Sequence, residues 1–249
     1  MRPIRALIAP FAVLVCLLAA PAFAQAQTPA PPKIWTVTFG AGLALTSGNT
    51  DTSNLNASYD IVYDPQTRNI IKSDGLFLRG TTEGELSAHR TGLNVRDEYR
   101  LTTRAFVFGQ NQYLRDEFKN IDYLLAPTAG LGHKLFDTAT TKLTVDGSVG
   151  GVWEKNPGLD VSSSGALAFG EKLVQNLTMT ATLTQSFTAL WKMNNFDDAL
   201  LTAGIGIAAS MSTRTQLKIE VLDTFKNLPP LPTIQKNDVA IVMAIVYKT

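Results

Sequence analysis

The feature that most constrains this chain is an alternation of apolar residues with small or polar ones, which returns in one segment after another. From Trp35 to Leu45 every odd-numbered residue is apolar, whereas the even-numbered residues are threonine, glycine or alanine. From Thr178 to Thr188 every even-numbered residue is threonine or serine. Successive side chains of a strand point to opposite faces, so this period of two predicts strands with one apolar face, which a helix cannot produce.

About twelve segments are predicted to be strands. Most of them show this alternation, whereas segment 70–80 has apolar and polar residues on both faces. The predicted strands are 34–47, 54–63, 70–80, 86–100, 105–114, 123–135, 141–152, 161–173, 177–190, 199–209, 215–225 and 238–248. Most are longer than the roughly 5–6 residues usual in globular sheets, as expected of strands that cross a membrane. After the N-terminal leader, no apolar run approaches the roughly 18 residues of a spanning helix. The sequence therefore predicts an all-β fold, a transmembrane antiparallel up-and-down β-barrel of about 12 strands, closed so that no edge meets lipid.

The connections predict how this barrel is oriented, because outer-membrane barrels have short periplasmic turns and longer outer loops. The predicted inner turns are 64–69, 101–104, 136–140, 174–176 and 211–214. The predicted outer loops are 48–51, 81–85, 115–122, 153–160, 191–198 and 226–237. Both chain termini are then expected in the periplasm.

The N-terminus has the features of an export signal. Arg2 and Arg5 precede an apolar stretch that ends at Ala22-Phe23-Ala24, whose small residues suit signal peptidase. The predicted organisation is a signal peptide at 1–24, a flexible leader at 25–33 and an outer-membrane barrel at 34–249. The only cysteine, Cys16, lies in the signal peptide, so the mature chain is predicted to have no disulfide.

Charged residues on the strands are predicted to face the lumen, because a charge on the lipid face costs roughly 2–4 kcal/mol at the bilayer midplane. The candidate lumen-lining residues are Asp60, Arg90, Arg96, Glu98, Arg100, Lys142, Asp146, Lys218 and Glu220. Two interpretations remain open. These side chains either set the selectivity of a narrow pore or form salt bridges that fill a closed barrel.

The sequence shows no pattern typical of catalysis, a metal site or a cofactor, and no enzymatic activity is predicted. His89 and His133 lack metal-ligand spacing, and no Gly-x-Ser-x-Gly motif occurs. Seven acidic residues fall in three of the predicted outer loops, 115–122, 153–160 and 191–198, and we interpret them as solvated carboxylates because they follow no ordered ligand pattern. They are Asp116, Glu117, Asp122, Glu154, Asp160, Asp197 and Asp198. The near balance of 22 basic and 21 acidic residues gives no indication of nucleic-acid binding.

Several stretches resemble the family of salt-induced outer-membrane proteins, a family of unknown function, over nearly the whole mature chain. They are Leu45 to Thr52, Arg115 to Phe118 with Ile121-Asp122, Gly130-Leu131-Gly132 to Thr138, and Pro229-Pro230 with Asp238. The resemblance implies an outer-membrane barrel linked to salt or osmotic response. Such proteins usually end in an aromatic residue used by the insertion machinery, whereas this chain ends Tyr247-Lys248-Thr249.

The predicted function is that of a barrel in the cell outer membrane, serving as a salt- or osmotic-stress envelope component or as a narrow passive channel. Its expected partners are outer-membrane lipid and the barrel insertion machinery, and the sequence indicates no oligomeric state. Two alternatives remain. One is an outer-membrane enzyme acting at the outer loops, and the other is a soluble periplasmic β-barrel that binds an apolar ligand inside.

Overall fold

The computed structural model describes residues 33–47, 52–82, 85–117 and 119–249, and these form a closed ring of twelve antiparallel strands. The strands are β1 (Trp35–Ser47), β2 (Thr52–Tyr63), β3 (Asn69–Thr82), β4 (Glu85–Arg100), β5 (Ala105–Asp116), β6 (Ile121–Asp137), β7 (Thr141–Lys155), β8 (Ser162–Asn176), β9 (Ala181–Lys192), β10 (Asn195–Ser210), β11 (Thr215–Lys226) and β12 (Asn237–Lys248). The predicted signal peptide and all but the last residue of the leader lie outside the described residues, as does the turn 48–51. In the part of the chain that is described, no helix is long and apolar enough to cross a membrane.

The ring closes where the first strand meets the last. β1 pairs with β12 from Thr38 opposite Lys248 to Ser47 opposite Val239, and with β2 on its other side. Every strand thus has two hydrogen-bonded neighbours, so the sheet has no edge at which a row of backbone N–H and C=O groups is unpaired. The predicted closed 12-stranded antiparallel barrel is confirmed.

One rule of numbering describes the two faces of the wall. In the middle of the strands, paired residues are both odd-numbered or both even-numbered, so all odd-numbered side chains share one face of the wall. The large apolar side chains exposed in the middle of the strands are odd-numbered, so this face is the outer one and even-numbered side chains face the lumen. The outer face exposes large apolar side chains, for example Phe39, Phe77, Leu93, Val149, Ile205 and Met243. Charged and hydroxyl side chains lie mostly on the inner face. The apolar faces therefore point outward, which contradicts the alternative of a soluble barrel holding an apolar ligand inside.

The inner turns are built by threonine and serine side chains, and one of them is not where the sequence pattern indicates. β9 begins at Ala181, and residues 177–180 form the turn, so the predicted strand start at Leu177 and the predicted turn 174–176 are wrong. The hydroxyl of Thr178 accepts hydrogen bonds from the backbone N–H groups of Thr180 and Ala181 at 3.2 and 2.9 Å. This local bonding competes with strand pairing, and the threonine alternation does not reveal it.

The outer connections are shorter than predicted because the strands extend into them. β9 and β10 are joined by Met193 and Asn194 alone, where a loop over 191–198 was predicted. The loops after β5 and β7 shrink from eight residues to 117–120 and 156–161, and the loop 227–236 loses one residue at each end. Residues 83–84 of the predicted loop 81–85 lie outside the described residues, while 81, 82 and 85 belong to strands.

A tight contact between β6 and β7 leads to a stability prediction. A Cβ added at Gly130 would lie 2.1 Å from the carbonyl oxygen of Gly147, whereas a Cβ at Gly109 would meet nothing within 4 Å. Gly130→Ala is therefore expected to destabilise the barrel by about 1–3 kcal/mol through overpacking. The measurement is the temperature at which the heated protein changes its mobility on a gel. Gly109→Ala is the control, and equal transition temperatures for the two variants would contradict the prediction.

Candidate functional site in the barrel lumen

The predicted lumen residues all have even numbers and lie on the inner face or at its ends. Arg96, Glu98 and Asp146 come together in the lumen. Arg96 Nη2 lies 3.0 Å from Asp146 Oδ2, and Arg96 Nε lies 2.9 Å from Glu98 Oε1 in an ion pair without a hydrogen bond. Since β4 and β7 are separated by two strands, the Arg96 side chain runs along a chord of the ring and narrows the lumen.

Two further contacts hold this arginine. Its Nη1 donates a hydrogen bond to Gln110 Oε1 at 3.2 Å, and its guanidinium carbon lies 3.5 Å from the centre of the Phe108 ring. A cation over an aromatic face in a partly desolvated site is stabilised by up to about 2 kcal/mol. These contacts fix the position of the guanidinium group on the chord between β4 and β7.

Three further lumen residues, which were not among the predicted ones, belong to this group. Lys72 Nζ lies 2.7 Å from Glu98 Oε2, and Lys172 interacts electrostatically with both Lys72 and Asp74 from the far wall. Lys72 and Asp74 belong to the strand whose faces look mixed in the sequence. We call the charged residues of this group the central layer. They are Asp60, Lys72, Asp74, Arg96, Glu98, Asp146 and Lys172.

Besides Arg90, which pairs with Asp116 at the outer end, four of the predicted residues lie outside the central layer. Lys218 and Glu220 pair with each other at 2.9 Å on β11. Arg100 lies at the inner end, where it binds Asp64 and donates to the carbonyl oxygen of Thr67. Lys142 is exposed near the inner turn 138–140.

A second group of charges lies at the outer end of the lumen, and it was not among the predicted lumen residues. Lys192 Nζ lies 2.9 Å from Glu154 Oε2 and 2.6 Å from Asp198 Oδ2. Lys226 Nζ lies 3.0 Å from Glu154 Oε1 and 3.2 Å from Asp198 Oδ1. Each lysine thus contacts both carboxylates, and we call these four residues the outer square. They come from β7, β9, β10 and β11, so the outer square spans a large part of the lumen.

Two more sets of contacts cross the lumen beside the outer square. Arg90 on β4 donates a hydrogen bond to Thr224 on β11 at 2.6 Å and pairs with Asp116 at 3.6 Å. Lys119, in the loop after β5, pairs with Asp238 on β12 at 2.7 Å, and its side chain has no exposed surface. Predicted residue Arg90 therefore lies beside the outer square and not in the central layer.

An apolar layer lies directly inside the outer square. Val152, Leu190 and Leu200 are buried, and each is two residues inward of a member of the square on the same strand. The other buried members of the cluster come from β5, β6 and β8 and are Leu114, Ile121, Leu124, Ala126 and Ala166. Salt bridges above apolar side chains are shielded from water, which strengthens their attraction and raises the cost of breaking them.

The interpretation of the acidic residues as solvated loop carboxylates is wrong for Asp116, Glu154 and Asp198. Asp116 and Glu154 each have only 1% of their surface exposed, and Asp198 contacts both lysines of the outer square, because the strands carry these residues into the lumen. Their even numbers could have indicated that they face the lumen, because Glu154 has the same parity as the predicted lumen residue Asp146 on the same strand. Among the described residues, no three histidine, cysteine, aspartate or glutamate side chains are grouped so as to hold a metal ion.

Comparison with solved structures finds barrels of similar fold and very different sequence. The NanC porin matches with a TM-score of 0.57 and 10% identity over 85% of this chain and 100% of the porin chain. The translocator domain of the autotransporter NalP from Neisseria meningitidis matches with 0.52 and 12%, over 87% of this chain and 89% of that chain. An outer-membrane channel from Pseudomonas putida F1 matches with 0.52 and 12%, over 88% of this chain and 97% of that chain. These likenesses concern the fold alone.

Sequence comparison gives the family. The search against curated proteins finds no match. The family described as "Protein of unknown function, DUF481" matches residues 39–248, which include nearly all of the barrel. The chain therefore belongs to the DUF481 family.

Proposed function

We propose that the protein is an outer-membrane channel of narrow bore whose outer end is closed at rest. Its apolar outer face suits a lipid environment, and structures of similar fold include a porin and an outer-membrane channel. Placement in the outer membrane also requires export, for which the N-terminal sequence has the features of a cleaved signal peptide.

The contrast between the two charged levels of the lumen carries this proposal. In the central layer, Lys172 and Asp74 are exposed to solvent, whereas Glu154 and Lys226 of the outer square are almost completely buried. Water thus reaches the central layer from the inner end. A solvated charged lining favours the passage of small polar solutes, and a buried ion-pair network favours a closure with two discrete arrangements.

A link to salt or osmotic stress is the finer part of the proposal. A channel that is closed at rest limits the loss of small solutes while still allowing regulated exchange. We expect the amount of protein in the outer membrane to rise when cells are moved to high salt. Quantitative immunoblotting of membrane fractions before and after the shift tests this, and an unchanged amount would contradict it.

A second candidate is a purely structural envelope barrel with a permanently filled lumen. The observation that favours it is the number of contacts that cross the lumen, from β4 to β7, from β4 to β11 and from β7 to β11. An enzyme acting at the outer loops receives less support, because Asp116 and Glu154 are buried in ion pairs and unavailable to a substrate.

Two experiments test location and fold together. Membrane fractionation is expected to place the protein in the outer membrane, and gels of unheated and heated samples are expected to show a mobility shift. N-terminal sequencing of the mature protein is expected to begin at Gln25. Recovery from the soluble periplasm without a heat-dependent shift would contradict the membrane proposal.

Channel activity is tested in a planar lipid bilayer. Wild-type protein is expected to give small, infrequent conductance steps, and Arg96→Ala to enlarge them by about twofold, because the side chain that spans the central chord is removed. Arg104→Ala, in an exposed inner turn, is the control and should match the wild type. If both wild type and Arg96→Ala leave the bilayer silent, the structural barrel is favoured.

A further inference from the structure

We propose that the central layer binds a small zwitterionic solute, with the cationic group of the solute at Asp60 and Asp74 and its carboxylate at Lys172. This inference rests on the proposed function, because the solute must enter the lumen from the solvated inner end. It adds the chemical class of the solute to the proposed channel.

The acidic side of the site is made by two carboxylates on neighbouring strands. Asp60 on β2 and Asp74 on β3 are directly opposite each other in the strand register, and both have lumen-facing even numbers. Asn94 donates a hydrogen bond to Asp74 Oδ1 at 3.1 Å. No lysine or arginine among the described residues lies within 4 Å of either carboxylate. Like charges directly opposite each other destabilise a strand pair, so this position favours a cation.

The basic side of the site lies on the opposite wall. Lys172 is on β8, which is six strands from β2 in a ring of twelve. Its side chain is exposed to the lumen and forms no ion pair with the described residues. It is attracted by Asp74 across the lumen and repelled by Lys72. An ammonium group in this position favours an anion as its partner.

The other charges of the central layer are already neutralised. Lys72, Glu98, Arg96 and Asp146 form a continuous chain of ion pairs from β3 to β7. The unpaired charges that remain are therefore negative on one wall and positive on the other. A molecule that carries both signs satisfies both walls while losing translational freedom only once, whereas a separate cation and anion lose it twice.

The experiment is isothermal titration calorimetry of the purified full-length mature protein in detergent, with three probes. Glycine carries both charges, methylammonium carries only the cation and acetate carries only the anion. Glycine is expected to bind at least about tenfold more tightly than either single-charge probe, because it alone forms charge-assisted hydrogen bonds at both walls. Glycine affinity should fall by at least about tenfold in Asp74→Asn and in Lys172→Met.

The controls change the same residue types outside the lumen. Asp97→Asn alters an exposed carboxylate on the outer face of β4, and Lys155→Met alters an outward-facing lysine at the end of β7. Both should bind glycine as the wild type does, and all variants should keep the heat-dependent gel shift of a folded barrel.

The outcomes separate this inference from the proposed channel. Absence of glycine binding, or equal binding of glycine and the single-charge probes, overturns the inference even if the barrel conducts. Glycine binding that survives both Asp74→Asn and Lys172→Met also overturns it. Glycine binding in a barrel that never conducts supports the site and contradicts the channel.

Discussion

Glu154→Gln is expected to raise the conductance of the barrel by about an order of magnitude, which is the largest effect on function that the structure predicts. Glu154 contacts both lysines of the outer square and also accepts a hydrogen bond from Asn156 Nδ2 at 3.1 Å. Glutamine keeps the shape of the side chain but leaves two buried ammonium groups to share Asp198. Removing one partner from a buried ion-pair network costs about 3–5 kcal/mol, so the closed arrangement should lose most of its advantage.

The measurement is single-channel recording together with the temperature of the heat-dependent gel shift. Glu117→Gln is the matched control, because Glu117 is exposed in an outer loop and pairs with Arg115 at the surface. The double variant Glu154→Gln with Lys226→Met removes one charge of each sign and should return conductance towards the wild-type level. A Glu154→Gln barrel that conducts no more than the Glu117→Gln barrel would contradict the assignment of the outer square as the closure.

Phe187→Arg is expected to prevent accumulation of the barrel in the membrane, whereas Thr188→Arg is expected to be tolerated. These neighbours occupy the middle of β9 and point to opposite faces. Phe187 packs beside Phe169 on the outer surface, with ring centres 6.3 Å apart, and Thr188 is exposed in the lumen. An arginine facing lipid near the midplane costs about 2–4 kcal/mol, and one in a solvated lumen costs little.

The readout is the amount of each variant recovered from outer-membrane fractions as a heat-modifiable band. The two variants add the same side chain to adjacent positions, so differences in expression or charge do not explain a contrast between them. Normal insertion of Phe187→Arg would contradict the assignment of odd-numbered side chains to the lipid-facing side. Loss of Thr188→Arg with retention of Phe187→Arg would indicate that the even-numbered side chains face lipid instead.

The alternation of residues was sufficient to predict the number of strands and the direction of their side chains. It failed at the strand ends, where other interactions decide. Thr178 continues the alternating pattern, yet its hydroxyl bonds to the backbone and starts a turn. Lys192 and Asp198 were predicted in an outer loop, yet β9 and β10 include them. Their side chains pair with each other at 2.6 Å and are mostly withdrawn from water.

The lumen residues were partly predictable for a related reason. Parity tells which face a residue occupies, but the height of a residue along the barrel axis depends on the stagger between strands, which the sequence of one strand does not contain. Arg96 and Asp146 were predicted to line the lumen, yet their contact across two intervening strands was not. The contact between Lys226 and Glu154 was not predicted either, because it also depends on the stagger between two distant strands, β7 and β11.

The seam between β1 and β12 has a consequence for how the chain must fold. Its paired residues are about 200 positions apart in sequence, so the ring cannot close until the last strand is in place. Until then, β12 remains an unpaired segment that is apolar on both faces, with Val242 and Val246 inward and Ile241 and Ile245 outward. Such a segment is prone to self-association in water. The strand that completes the barrel is therefore also the part of the chain that most needs protection before the ring closes.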